Sequence, residues 1–316
     1  VRVGIDCRKI ADFGIGTYIR GLLHALADLG GEEYVAFGAR KIAGFLPKRG
    51  VEHVVVDAPK YSIRELFTIG RGARIDVFHA PHYVVPFVDV PFVVTIHDLI
   101  HLHHRNPLAR VYARRMIGRA VRKSAAVLTV SNAVRDDIAK TFGHAEKITV
   151  TPNGVDPRFT PDGPKAPGRY FLFVGNEKPH KNVGRLIEAA KRSGVDLVRA
   201  GSARFVSDGE LAALYRGAIA LVMPSLDEGF GLPALEAMAC GTAVITSNAP
   251  ALVELTGDAA IHVDAMSIDA IAAAMTRVTS DESMRASMIE RGLDRARAFT
   301  WKRCAEMTRE IYRRIA

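Results

Sequence analysis

Short apolar runs alternate with amphipathic helical stretches along this chain, and the alternation is interrupted once. That pattern restricts the fold more than any other feature. A strand followed by a helix and then another strand returns parallel to itself, so the chain is predicted to be α/β with parallel sheets. The first strand covers 1–6 and leads through a glycine-bearing loop into a helix at 17–29. Further strands are expected at 34–37, 54–56, 77–79, 92–96, 126–130 and 148–151, with helices over 108–123 and 132–142. Then Pro152, Gly154, Pro157, Pro161, Gly163, Pro164, Pro167 and Gly168 break the pattern. Such a cluster reads as a linker.

A second series begins beyond it, with strands at 170–174, 195–200, 218–223, 243–246 and 259–263. Its helices are expected at 183–192, 268–279 and 282–297, and a last helix at 301–315. The reading is two consecutive Rossmann-like halves, 1–156 and 157–300, with a ligand cleft at the C-terminal ends of their strands. One passage looks too short. Only Gly201, Ser202, Ala203 and Arg204 separate the strand at 195–200 from Phe205 and Val206, whereas a parallel crossover needs about a dozen residues. Either a loop is missing around 201–205 or the crossover is shortened.

At 316 residues the chain is long enough for two medium domains. Hydrophobic residues make up 48% and charged ones 24%, as in soluble globular proteins. No apolar run approaches the roughly 18 residues of a membrane span. The first residues read as a strand rather than a signal peptide. Cys7, Cys240 and Cys304 have no metal-ligand spacing, which suits a reducing, cytoplasmic setting. The net charge of +9 is uneven: residues 1–160 hold 23 Lys and Arg against 15 Asp and Glu, a surplus of 8. An anionic partner is implied, whether nucleic acid, a membrane surface or an acidic acceptor. Arg105, Arg110, Arg114, Arg115, Arg119, Arg122 and Lys123 concentrate it on one predicted helix, which reads equally as a solvated face.

Four stretches carry candidate chemistry. Glu228 and Glu236, with seven residues between them, straddle a Gly-Phe-Gly turn and a helix start. Pro233 fits the first helical position and Gly241 the position after the last. The amides of Phe230, Gly231 and Leu232 then face outward at a helix N-terminus, a cradle for phosphate with a carboxylate on either side. Asp12–Arg20 places Gly14 and Gly16 after the first strand, but Ile19 stands where a dinucleotide fingerprint needs its third glycine, so a nicotinamide enzyme is disfavoured. His97 sits at the C-terminal end of the strand at 92–96, followed by His101, His103 and His104. This is either a substrate-facing histidine, a structural one or part of a metal site. Gly175, Asn176 and Lys181 follow the first strand of the second half, where Lys181 fits a phosphate.

The Glu-x7-Glu element, with Val93–Ile100, Leu128–Asn132, Thr149–Asp156 and Gly175–Asn182, resembles retaining glycosyltransferases of the GT-B fold, specifically family 4. The resemblance runs from residue 1 to about 312. It implies two Rossmann-like domains facing each other across a cleft, with the helix at 301–316 packing back on the first. It implies that Glu228 and His97 contact the transferred sugar and Glu236 the donor ribose. Lys181, the Gly14–Gly16 loop, Asn176 and the Phe230–Leu232 amides then meet the diphosphate, and Phe205 and Val206 the base. Many relatives have Arg or Thr where this chain has Asn176, leaving Arg185 as the candidate second cation. No Asp-x-Asp occurs, so no metal and no other cofactor is expected. The expected partners are a GDP- or UDP-sugar, mannose favoured, and a saccharide or lipid-linked acceptor, with attachment to the inner membrane face and no nucleic acid. A GT-B nucleotide-sugar 2-epimerase and a non-enzymatic anion- or nucleic-acid-binding protein are the competing readings.

Overall fold

The structure is a computed structural model that describes residues 1–56, 69, 73–103, 106–201 and 207–316. The chain divides into two units, Val1–Gly154 with Trp301–Ala316, and Val155–Thr300.

The first unit runs β1 Arg2–Asp6, α1 Ile15–Leu29, β2 Glu33–Gly38, β3 Val51–Val55, β4 Val77–Ala80, β5 Phe92–Ile96, α2 Pro107–Lys123, β6 Ala126–Thr129, α3 Asn132–Phe142 and β7 Ile148–Val150. Its strands form one sheet in the order β3-β2-β1-β4-β5-β6-β7, every pair parallel. Central strands such as β4 and β6 are buried at every residue, as expected where helices cover both faces. Asn106 starts α2 by accepting from the amides of Leu108 and Ala109, with Pro107 as the first helical residue.

The second unit runs β8 Tyr170–Val174, α4 Val183–Ser193, β9 Asp196–Ala200, α5 Asp208–Gly217, β10 Ala220–Met223, α6 Leu232–Ala239, β11 Ala243–Ser247, α7 Pro250–Thr256, β12 Ala260–Val263, α8 Ile268–Ser280 and α9 Glu282–Ala296. Its parallel sheet is ordered β12-β11-β10-β8-β9. The passage that looked too short contains α5, which the periodicity did not reveal. β9 returns to β10 through this helix, and the unit's strands, numbered as they appear, stand in the order 2-1-3-4-5. Of the suspected gap around 201–205, residues 202–205 lie outside the described residues.

The last helix, α10 Trp301–Ile315, belongs to the first unit and packs on α1. Gly21 makes that approach possible, because a Cβ there would stand 2.1 Å from Trp301 Cε2. Both sheets reverse their winding direction once, between β1 and β4 and between β8 and β10. These are the points where open α/β sheets bind ligands, beyond the C-terminal ends of the strands.

Candidate active site

In the second unit, the loops after β8 and β10 meet at that switch point. Lys181 ends a short turn after β8, and Glu228 lies in the loop after β10. Their side chains form an ion pair, Nζ to Oε1 at 2.6 Å, with only 14% and 10% of each exposed. Backbone pairing joins the same loops, since Leu226 N–H donates to the His180 carbonyl at 2.7 Å. Asn182, in the left-handed region at φ 58°, reinforces the junction. Its amide donates to the carbonyls of Pro224 and Ala265 at 3.1 and 2.7 Å. Lys181 and Glu228, expected to meet different parts of a ligand, are thus partners of each other here.

Arg185, the candidate second cation, donates from its guanidinium to Asn182 Oδ1 at 2.9 Å. Asn176 itself closes a turn, accepting from the Lys178 amide at 3.2 Å. Pro233, expected as the first helical residue, is the second: α6 begins at Leu232, which puts Glu236 one turn in. Its carboxylate accepts from Tyr215 OH at 2.8 Å, a buried contact from α5. Gly231 caps α6 at φ 105° and, as a glycine, brings no side chain of its own to that terminus. A Cβ on Gly231 would meet Leu252 Cδ2 at 2.6 Å, so conformation and space both demand glycine. Phe230 is buried, its ring edge-on to Phe299. Phe205 and Val206 lie outside the described residues.

In the first unit, His97 lies at the end of β5 beside the ring of Tyr18, centroids 4.7 Å apart and planes at 78°. Its Nε2 is 3.1 Å from the Pro81 carbonyl. A carbonyl only accepts, so Nε2 carries the proton and Nδ1 the lone pair. Burial brings the ring's pKa down to about 4, opposed by the Pro81 bond and aided by the Lys9 charge. His97 is therefore a neutral hydrogen-bond acceptor at ordinary pH. Beneath it runs a fully buried chain: Tyr18 OH to Thr95 Oγ1 at 2.9 Å, Thr95 Oγ1 to His79 Nε2 at 2.7 Å, and His79 Nδ1 to Tyr312 OH at 2.5 Å. Burial, with His97 nearby, lowers the His79 pKa to about 3.

Lys9 and His82 extend from β1 and β4 at this unit's switch point, with Lys9 Nζ 2.7 Å from His82 Nε2. Sequence reasoning passed over both, although each lies within three residues of a strand's C-terminal end. Gly14 opens α1 at φ 62° with nothing within 4 Å of a Cβ, whereas a Cβ on Gly16 would be 2.5 Å from the Ile10 carbonyl. Gly16 thus serves the approach of the chain to itself. Among the described residues, no three His, Cys, Asp or Glu side chains gather as ligands for a metal ion. His101 stands edge-on to Tyr83, and His104 lies outside the described residues.

Each unit carries polar loops at the switch point of a parallel sheet, and comparison with known proteins supplies the class. Residues 14–159 match Glycosyltransferase Family 4, and residues 202–295 match Glycosyl transferases group 1. The chain is 29% identical over 281 residues to O-antigen chain mannosyltransferase B of Escherichia coli, covering 75% of this chain and 74% of that protein. It is 30% identical to the MMP alpha-(1->4)-mannosyltransferase of Mycolicibacterium hassiacum, covering 77% and 71%. Among solved structures, sucrose-phosphate synthase from Thermosynechococcus elongatus aligns at a TM-score of 0.81 and 17% identity, over 99% and 98% of the two chains. Anabaena HepE, solved with UDP and glucose, aligns at 0.77 and 15%, over 99% of each. The chain belongs to the group 1, family 4 glycosyltransferases and is a transferase of the GT-B fold. That assignment supersedes the epimerase and the non-enzymatic readings.

Proposed function

We propose that the protein transfers a hexosyl group, mannose favoured, from a nucleotide-diphosphate sugar to an acceptor hydroxyl, with retention at the anomeric carbon and without a metal, in polysaccharide or glycolipid assembly. The observation that carries the reading is the pairing of Lys181 with Glu228, which lies in the loop leading to the glycine-capped N-terminus of α6. A cation and a row of helix-terminal amides suit a diphosphate, and carboxylates on either side suit sugar and ribose hydroxyls. The mannosyltransferases among the relatives support the sugar, and the UDP bound to HepE supports a nucleotide donor.

In this reading the bond from C1 to the diphosphate oxygen breaks while the acceptor oxygen attacks on the same face. The acceptor proton passes to the departing diphosphate. Lys181 and the Phe230–Leu232 amides stabilise the charge that develops there, Glu228 and His97 orient the sugar, and Glu236 holds the ribose. His97, as a neutral acceptor, receives a sugar hydroxyl at Nδ1. The first unit takes the acceptor. Its α2 exposes Leu108, Val111 and Tyr112 together with Arg110, Arg114, Arg115, Arg122 and Lys123, a mixture suited to an anionic membrane surface. Among the described residues, no helix is long and apolar enough to cross a membrane. The test is a thermal-shift screen of UDP, GDP and ADP, followed by transfer from the matching sugar nucleotides with and without EDTA. Stabilisation by none of the three, or activity that EDTA abolishes and Mn²⁺ restores, would overturn the corresponding part of the reading.

A further inference from the structure

Tyr215 lies on α5, the helix that apolar periodicity missed, and is fully buried. Its ring stands edge-on to Phe159, centroids 5.7 Å apart and planes at 79°. Its carbonyl accepts from Thr242 Oγ1 at 2.6 Å. Helix, ring and backbone are therefore all fixed, and the phenol is delivered to one place, 2.8 Å from Glu236 Oε2. Burial, with the Glu236 charge beside it, pushes the phenol's ionisation well up, so the group remains a donor.

A glutamate side chain has three torsions, and the last of them, which turns the carboxylate plane, is broad. A donor locked onto one oxygen removes that freedom. We propose that Tyr215 is a positioning residue for Glu236: it sets the carboxylate plane to receive a ribose diol, and so gives the enzyme a preference for ribonucleotide over deoxyribonucleotide donors. The proposal rests on the donor-site reading above, in which Glu236 meets the ribose. A site built to hydrogen-bond a hydroxyl rejects an analogue lacking it, because the buried acceptor is then left unpaired. That rejection depends on the acceptor being held still.

The experiment is a cycle of variants against nucleotides. The nucleoside diphosphate among UDP, GDP and ADP that stabilises the wild type most, and its 2′-deoxy analogue, are titrated calorimetrically into wild type, Tyr215→Phe and Glu236→Gln. Tyr215→Phe keeps the ring and removes one oxygen. It should weaken the ribonucleotide about tenfold, the lower end for a hydrogen bond to a charged group, while the deoxy analogue changes less than about twofold. The preference then collapses. Equal weakening of both nucleotides marks Tyr215 as merely structural and overturns the proposal, as does an unchanged preference. If Tyr215→Phe does not fold, Tyr215→His, which keeps a ring donor, is put through the same cycle and should retain part of the preference. Wild-type nucleotide affinity in Glu236→Gln overturns the donor-site reading itself, whatever Tyr215 does.

Discussion

Replacing Lys181 with Met leaves Glu228 nine-tenths buried and without this cation. At 2.6 Å and an effective dielectric of about 20, the gross attraction lost is about 6 kcal/mol. Desolvation of both groups cancels part of that, and breaking a buried pair from one side costs about 3–5 kcal/mol in practice. A unit of this size loses about 2–4 °C per kcal/mol, so the melting temperature of the second unit should fall by about 6–20 °C. Glu228→Leu should be milder, because Lys181 is long enough to carry its charge toward solvent. The double variant Lys181→Met with Glu228→Leu replaces the pair by apolar groups and should recover most of the lost stability. It should not recover sugar transfer, which separates the pair's structural work from its proposed role at the diphosphate. The assay is calorimetric melting of all four proteins in low and high salt, with the pair's coupling read from the cycle. Single variants that melt with the wild type, and a coupling below about 0.5 kcal/mol, would refute the reasoning.

Three other outcomes are expected. Burial lowers the His79 pKa from an unfolded value near 6.5 to about 3, so the unfolded chain binds the proton first as pH falls. Its contribution is complete above pH 6.5 and is eroded by about 2 kcal/mol at pH 5; a melting temperature that does not fall between pH 7 and 5 contradicts this. Gly21→Ala drives a methyl into the Trp301 ring and should destabilise the first unit by about 1–3 kcal/mol or more, read as a lowered melting temperature. Vesicle co-sedimentation should rise with anionic lipid and fall with salt, each cation contributing about 1 kcal/mol, and Arg110→Glu with Arg115→Glu should reduce it. Equal binding to neutral and anionic vesicles would remove the membrane reading.

What the sequence disclosed follows from what each residue responds to. Strands such as β8 and β10 are continuous apolar runs because both faces of a parallel sheet are covered, and the runs located them to within a residue or two. α5 escaped because its apolar spacing is weak. The available signal was local: Ser207 and Glu210 form a capping box, Ser207 Oγ accepting from the Glu210 amide and Glu210 returning to Ser207 N–H. At the candidate site, residue types and their loops were readable, since glycine turns and helix starts are short-range features. Partnerships were not. The joining of Lys181 to Glu228 and of Tyr215 to Glu236 depends on how β8, β10 and α5 pack, over separations of 47 and 21 residues. The protonation of His97 likewise depends on Pro81, which β4 brings beside it.

Both units keep buried ion pairs, Arg8 with Asp6 in the first and Lys181 with Glu228 in the second, and the first adds a set of neutral rings that bears on the proposed division of labour. In the first, burial strips charge from the ring groups: His79, His82 and His97 all have lowered pKa values, and His97 offers a lone pair rather than a proton. Lone pairs of this kind suit hydroxyls, while Lys9, 2.7 Å from His82, and the buried Arg8–Asp6 pair keep charge at the same switch point. In the second, Lys181 pairs with Glu228 in the loop that leads to the glycine-capped start of α6. In the proposed reading a diphosphate bound there would meet a cation already desolvated by its protein partner, so much of the cost of stripping water from it would have been met in folding. The leaving group of that reading gains negative charge as its bond to C1 breaks, and this is the place where a fixed cation lowers the barrier most.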